Sequence, residues 1–172
     1  MSLAVVSGTP DTLAPSQIAA WIAAQLLTGG ATARAASKPA LAARRGPARV
    51  VWVERGDEVL VHPESVKVAI AGGALLVSVD LETDQTGRQP LIVTLSLGAD
   101  GDGAGLVAVT DALPRGNAVL AARWGAALQT AVWSALLALA RQHAAERATF
   151  PRGLALTKEG LHLVAGPPVS SP

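Results

Sequence analysis

The chain has 172 residues, 50% of them hydrophobic and 16% charged, with a net charge of +1 and a mean hydropathy of +0.37. It is long enough to bury a single core and too apolar to be disordered overall. It contains no cysteine, which excludes disulfides, thiolate metal sites, iron–sulfur clusters and thiol nucleophiles.

The apolar half is unusual in kind: 35 residues are alanine, and the only aromatics are Trp21, Trp52, Trp124, Trp133 and Phe150. With no tyrosine and so few rings, a base-stacking nucleic-acid platform is not expected. Arginine outnumbers lysine 11 to 3, a bias that points to a GC-rich bacterial genome. The first residues carry no basic stretch ahead of an apolar run, so no secretory signal is expected and a cytoplasmic location follows.

In chain order, Pro15 to Thr28 reads as a helix. Proline suits its first turn, Ile18, Trp21, Ile22 and Leu26 share a face, and Gly29-Gly30 stops it. Residues 31–49, rich in Ala, Pro and Arg and without an acid, read as a linker. From Val50 the period is two. Strands are expected at Val50 to Arg55, Glu58 to His62, Val66 to Ala71, Ala74 to Glu82, Leu91 to Leu97 and Leu106 to Thr110. The first pair is joined at Gly56-Asp57. Short turns between successive strands imply an antiparallel meander, because parallel neighbours need long crossovers.

A long helix follows over about Asn117 to Ala148. Its Arg123, Thr130, Ser134 and Arg141 fall close to one line, opposite a wide apolar face of Ala121, Gly125, Leu128, Val132, Leu136 and Leu139. Trp133 and Leu137 flank that face, so the helix is expected to meet the first helix, a second copy or another protein. Trp124 to Ala140 is 17 residues without a charge, but it is short and interrupted, and reads as a core helix and not as a membrane span. A terminal hairpin, Leu154 to Leu156 with Leu161 to Val164, completes the chain.

These elements predict an α+β fold, an antiparallel β-meander of five to six strands packed by one long C-terminal helix and a shorter N-terminal amphipathic helix, with a terminal β-hairpin. Residues 1–49 hold the N-terminal helix and linker, 50–165 the core domain and 166–172 a frayed tail. Charge is segregated along the sequence: +4 over residues 1–49, −7 over 50–111 and +4 over 112–172. Basic helices lying on an acidic sheet would account for this, as would docking through opposite patches.

Candidate chemistry is sparse. His62-Pro63-Glu64 has the H-x-E spacing of zinc deaminases without their cysteines. His143 and Glu146 lie one helical turn apart but have no second pair to share a metal with, and His162 stands alone in the hairpin. The Asp100 to Gly105 loop partly fits a calcium loop, with Asp100, Asp102 and Asp111 as ligands, but its flanks read as strands where helices are required. Arg115 and Asn117 at the start of the long helix form a candidate anion site or a simple cap. No nucleophile elbow or phosphate loop occurs.

The expected function is therefore non-catalytic: a subunit or adaptor that binds a protein partner or itself, without a cofactor. Trp21, Trp52, Trp124, Trp133 and Leu137 are the candidate interface or ligand-lining residues. The alternative is a carrier of a small apolar ligand held between sheet and long helix; an enzyme ranks third. Neither specific nucleic-acid binding nor a membrane span is expected.

Overall fold

The computed structural model describes residues 8–29, 50–97, 108–109 and 113–168. Strand β1 (Thr12–Leu13) leads into helix α1 (Pro15–Gly29). Strands β2 (Val50–Glu54), β3 (Asp57–Ala71), β4 (Ala74–Thr83), β5 (Gly87–Leu97), β6 (Ala108–Val109) and β7 (Arg115–Gly116) follow, then helix α2 (Ala118–Glu146) and the hairpin β8 (Thr149–Leu156) and β9 (Leu161–Pro168). One sheet has the order β2-β3-β4-β5-β6, with β7 also on β5, and a second has the order β1-β9-β8. All pairings are antiparallel. The fold is thus α+β, a meander crossed by a long helix, with the shorter helix beside it and a terminal hairpin, as the periodicity implies. Among the described residues no helix is long and apolar enough to cross a membrane.

Alternation decides which face of the meander is buried. Leu75, Val77, Val79 and Leu81 of β4 are fully enclosed, as are Leu91, Val93 and Leu95 of β5, and the two rows lie opposite one another in register. Helix α2 lays Leu120, Leu128, Val132, Leu136 and Leu139 into this core, and α1 adds Ile18, Ile22 and Leu26 at successive turns. Leu13, Leu154, Leu161 and Leu163 of the second sheet join the same cluster, so both sheets share one core. The first helix does meet the second: the Trp21 indole donates to the Ala135 carbonyl at 2.7 Å.

Local chemistry sets the element ends. Gln17 Oε1 accepts from the Ala14 N–H, closing the start of α1 behind Pro15. Arg55 and Gly56 both take positive φ, 51° and 84°, making a two-residue turn between Glu54 and Asp57. The turn thus lies one residue earlier than the expected Gly56-Asp57. Glycine takes its second position, and Asp57 is released to be clamped by Arg123 from α2.

Three other expectations need correction. Glu58 to His62 and Val66 to Ala71 are not two strands but parts of β3, interrupted by a bulge between His62 and Lys67. The Ser65 hydroxyl links the strands across this bulge: it accepts from the Asp80 N–H at 2.7 Å and donates to the His62 carbonyl at 2.6 Å. The hairpin strands are longer than their apolar alternation suggests, and Thr149 pairs with Pro168, so residues 166–168 belong to β9 and not to a frayed tail. Strand β8 runs through Pro151, with register shifts on either side of it. The linker over residues 31–49 lies outside the described residues.

Candidate groove beside the long helix

A cavity of about 610 Å³ lies where the end of α1, strand β2 and helix α2 meet. One wall comes from α2, where Thr130 and Ser134, two members of the polar line read from the sequence, continue a row of small side chains begun by Ala122 and Ala126 at successive turns. Ala127, Ala131 and Ala135 form the adjacent row. Gln25 and Leu26 of α1 and Trp52 to Arg55 of β2 complete it. Short side chains on α2 leave the space open, and buried Trp52 and Trp124 give it an apolar floor.

Arg123 closes one end. Its Nε donates to Asp57 Oδ2 at 2.7 Å and its Nη2 to the Glu54 carbonyl at 2.5 Å, and its guanidinium lies 5.2 Å from the Trp124 ring centroid. This contact joins a basic helix to the acidic sheet, as the charge segregation along the sequence suggests. Beyond it lies a second cavity of about 270 Å³ that shares Arg123 and Trp124 with the first and includes Asp57, Glu58 and Asp84.

Of the candidate tryptophans, Trp52 and Trp124 therefore come together at the groove. Trp21 is used in holding α1 to α2, and Trp133 and Leu137 are partly buried outside the groove lining. Arg123, Thr130 and Ser134 had a sequence signal, since they break the apolar helix face. Glu54 and Asp57 had none, because only the turn geometry brings them under Arg123.

The three histidines separate into two places. His62, 1% exposed, sits on β3 with Nδ1 3.1 Å from Glu64 Oε1 and Nε2 2.8 Å from Glu82 Oε2. Arg88 reaches Asp80 at 2.8 Å and Glu64 at 3.5 Å. Burial acts to raise the Glu64 carboxyl, but a hydrogen bond from its own backbone, the His62 ring and the Arg88 charge hold it below the usual range. The other two histidines lie at the C-terminal end of α2. There the buried His143 donates from Nε2 to Asp11 Oδ1 at 2.8 Å, and Thr12 Oγ1 is 3.1 Å from His162 Nδ1.

This second place is a polar clasp. Glu146 accepts from the Thr9 N–H at 2.6 Å and from its hydroxyl at 3.0 Å, while Arg147 donates to the Thr9 carbonyl and to Asp11. The His143 hydrogen bond, helped by Arg147, lowers the Asp11 carboxyl below its ordinary value, and the Thr9 backbone N–H does the same for Glu146. These bonds fasten Thr9 and Asp11 onto the C-terminal end of α2.

Asn117 caps α2: its side-chain oxygen accepts from the N–H groups of Val119 at 3.0 Å and Leu120 at 3.3 Å, two donors that an anion would otherwise use. Arg115 is exposed on β7. Asp100, Asp102 and Asp111 lie outside the described residues. Among the described residues no group of three or more His, Asp or Glu side chains is placed to hold a metal ion. The chain matches no family model, no curated protein and no solved structure.

Proposed function

We propose that this protein is a non-catalytic binding subunit that receives a segment of a partner protein in the groove between α2, β2 and the end of α1. The observation that carries this reading is the wall of short side chains, Ala122, Ala126, Thr130 and Ser134, set beside an edge strand over a tryptophan floor. Small residues at helical spacing let another backbone approach closely, and they do so on the outward face of a helix whose opposite face is committed to the core. A carrier of a small apolar molecule is the second reading. It is favoured by the cavity volume, which falls within the range of small-ligand pockets.

The two readings separate by site-directed photo-crosslinking in cells. With a photoreactive residue in place of Thr130, a discrete crosslinked protein band is expected, and none with the same residue at Lys158 in the far hairpin. No band from either site, together with saturable one-to-one uptake of an apolar ligand that quenches tryptophan emission, overturns the partner reading in favour of the carrier.

A further inference from the structure

We infer that His62 is a proton-operated brace of the bulge in β3: with a proton on each ring nitrogen it ties Glu64 to Glu82, and with one proton removed it holds only Glu82. The imidazole lies between two carboxylates, Nδ1 3.1 Å from Glu64 Oε1 and Nε2 2.8 Å from Glu82 Oε2. An ionised carboxylate only accepts hydrogen bonds, so both contacts at once require both ring nitrogens to donate. A neutral ring has one N–H and turns a lone pair toward the other carboxylate. Glu64 is ionised at neutral pH, its carboxyl being held below the usual range.

The two carboxylates differ in what the loss costs them. The Glu64 side chain is 54% exposed and has Arg88 at 3.5 Å, so water and a guanidinium take over when the ring lets go. Glu82 is 13% exposed and holds the shorter contact, so the remaining proton stays on Nε2. Placement couples that proton to the backbone. His62, opposite Asp80, is the last residue of β3 in register with β4 before the bulge, and Lys67, opposite Ser78, is the first after it. Glu64 belongs to the bulge and Glu82 to β4, so the doubly protonated ring spans the irregular stretch beside the Ser65 bonds. Leu60 pairs with Glu82 while Val61 pairs with Leu81, which puts His62 and Glu82 on the sheet face opposite the core. The charged groups beside the ring among the described residues are Glu64 of β3, Asp80 and Glu82 of β4, and Arg88 of β5, which holds Asp80 at 2.8 Å. At 1% exposure, His62 leaves little room for water to replace a lost partner.

The test follows the isotope-labelled full chain by NMR as pH is raised from about 5 until the His62 ring loses a proton. Ring nitrogen shifts report which nitrogen keeps its proton, and carboxyl carbon shifts report Glu64 and Glu82. Hydrogen exchange, corrected for the intrinsic rate at each pH, reports the Lys67 and Asp80 amides at the bulge. The proton is expected to leave Nδ1 with a step at the Glu64 carboxyl, while protection of the two amides falls by about three- to tenfold, the worth of one hydrogen bond. Glu64→Gln, whose side-chain amide can donate to a bare Nδ1, should keep its protection level across the titration, with circular dichroism showing an unchanged fold. Loss of the ring proton with no change in protection overturns the brace, as does a step at Glu82 with Glu64 unmoved. So does a ring that carries one proton throughout, the second residing on a carboxyl, or a ring that keeps both until the chain unfolds.

Discussion

The Ser65→Ala substitution isolates the contribution of one hydroxyl to the long strand β3. Ser65 Oγ makes two short hydrogen bonds across the bulge, 2.7 Å from the Asp80 N–H and 2.6 Å to the His62 carbonyl. Each is worth about 1 kcal/mol net, and a buried donor left without an acceptor costs about 1–3 kcal/mol. Ser65 is partly accessible, so water can replace part of the loss, and a destabilisation of about 2–3 kcal/mol is expected. For a domain of this size that lowers Tm by about 5–10 °C. Urea unfolding followed by circular dichroism measures the change, with the slope of the transition unaltered because the buried surface is the same. Ser65→Thr, which keeps the oxygen, should recover most of it, and amide exchange at Asp80 should accelerate in the alanine variant alone. A loss below about 0.5 kcal/mol, the range of ordinary surface substitutions, would refute the claim that the hydroxyl links β3 to β4 across the bulge.

Gly160→Ala should be among the most damaging small substitutions. Gly160 takes a φ of 151°, and an added Cβ would lie 1.9 Å from the Leu13 carbonyl oxygen, forcing β1 off β9. A loss of about 2–4 kcal/mol in urea unfolding is expected. Asn117→Ala removes the cap of α2 and should cost about 1 kcal/mol, read by the same assay. Asp11→Asn bears on the acid limb of the stability curve. The folded-state Asp11 carboxyl is depressed, so its stabilising contribution is complete above the ordinary carboxylate value and is lost as pH falls through the lowered one. The variant should therefore melt lower than wild type at neutral pH, and the gap should narrow on acidification. An unchanged gap between neutral and strongly acidic pH would show that the His143 contact is not what Asp11 contributes.

Much of the fold is written in periodicity. Strand β4 alternates Leu75, Val77, Val79 and Leu81 with more exposed residues, and α1 spaces Ile18, Ile22 and Leu26 by four, so each element carries its own burial pattern. The bulge is less legible, because Pro63 reads as a strand break unless the Ser65 hydroxyl is known to bridge it. The groove is legible only in fragments. Trp52 and Trp124 are rare, large residues and invite attention, whereas the small residues that shape the space look like ordinary helix formers. The clasp is illegible for a simpler reason: Thr9 and Glu146 are 137 positions apart, and neither has a local pattern that announces the other.

The pairing of β1 with β9 has a consequence for synthesis on the ribosome. Thr12 finds its partner in His162, and Asp11 finds His143, so residues 9–13 emerge well over a hundred residues before what they rest on. Helix α1 can settle on β3 as the meander closes through its short turns, but β1, two residues long, waits unpaired. Strand β9 then fixes β1, and a stall or truncation that withholds β9 leaves both ends of the described chain unfastened at once.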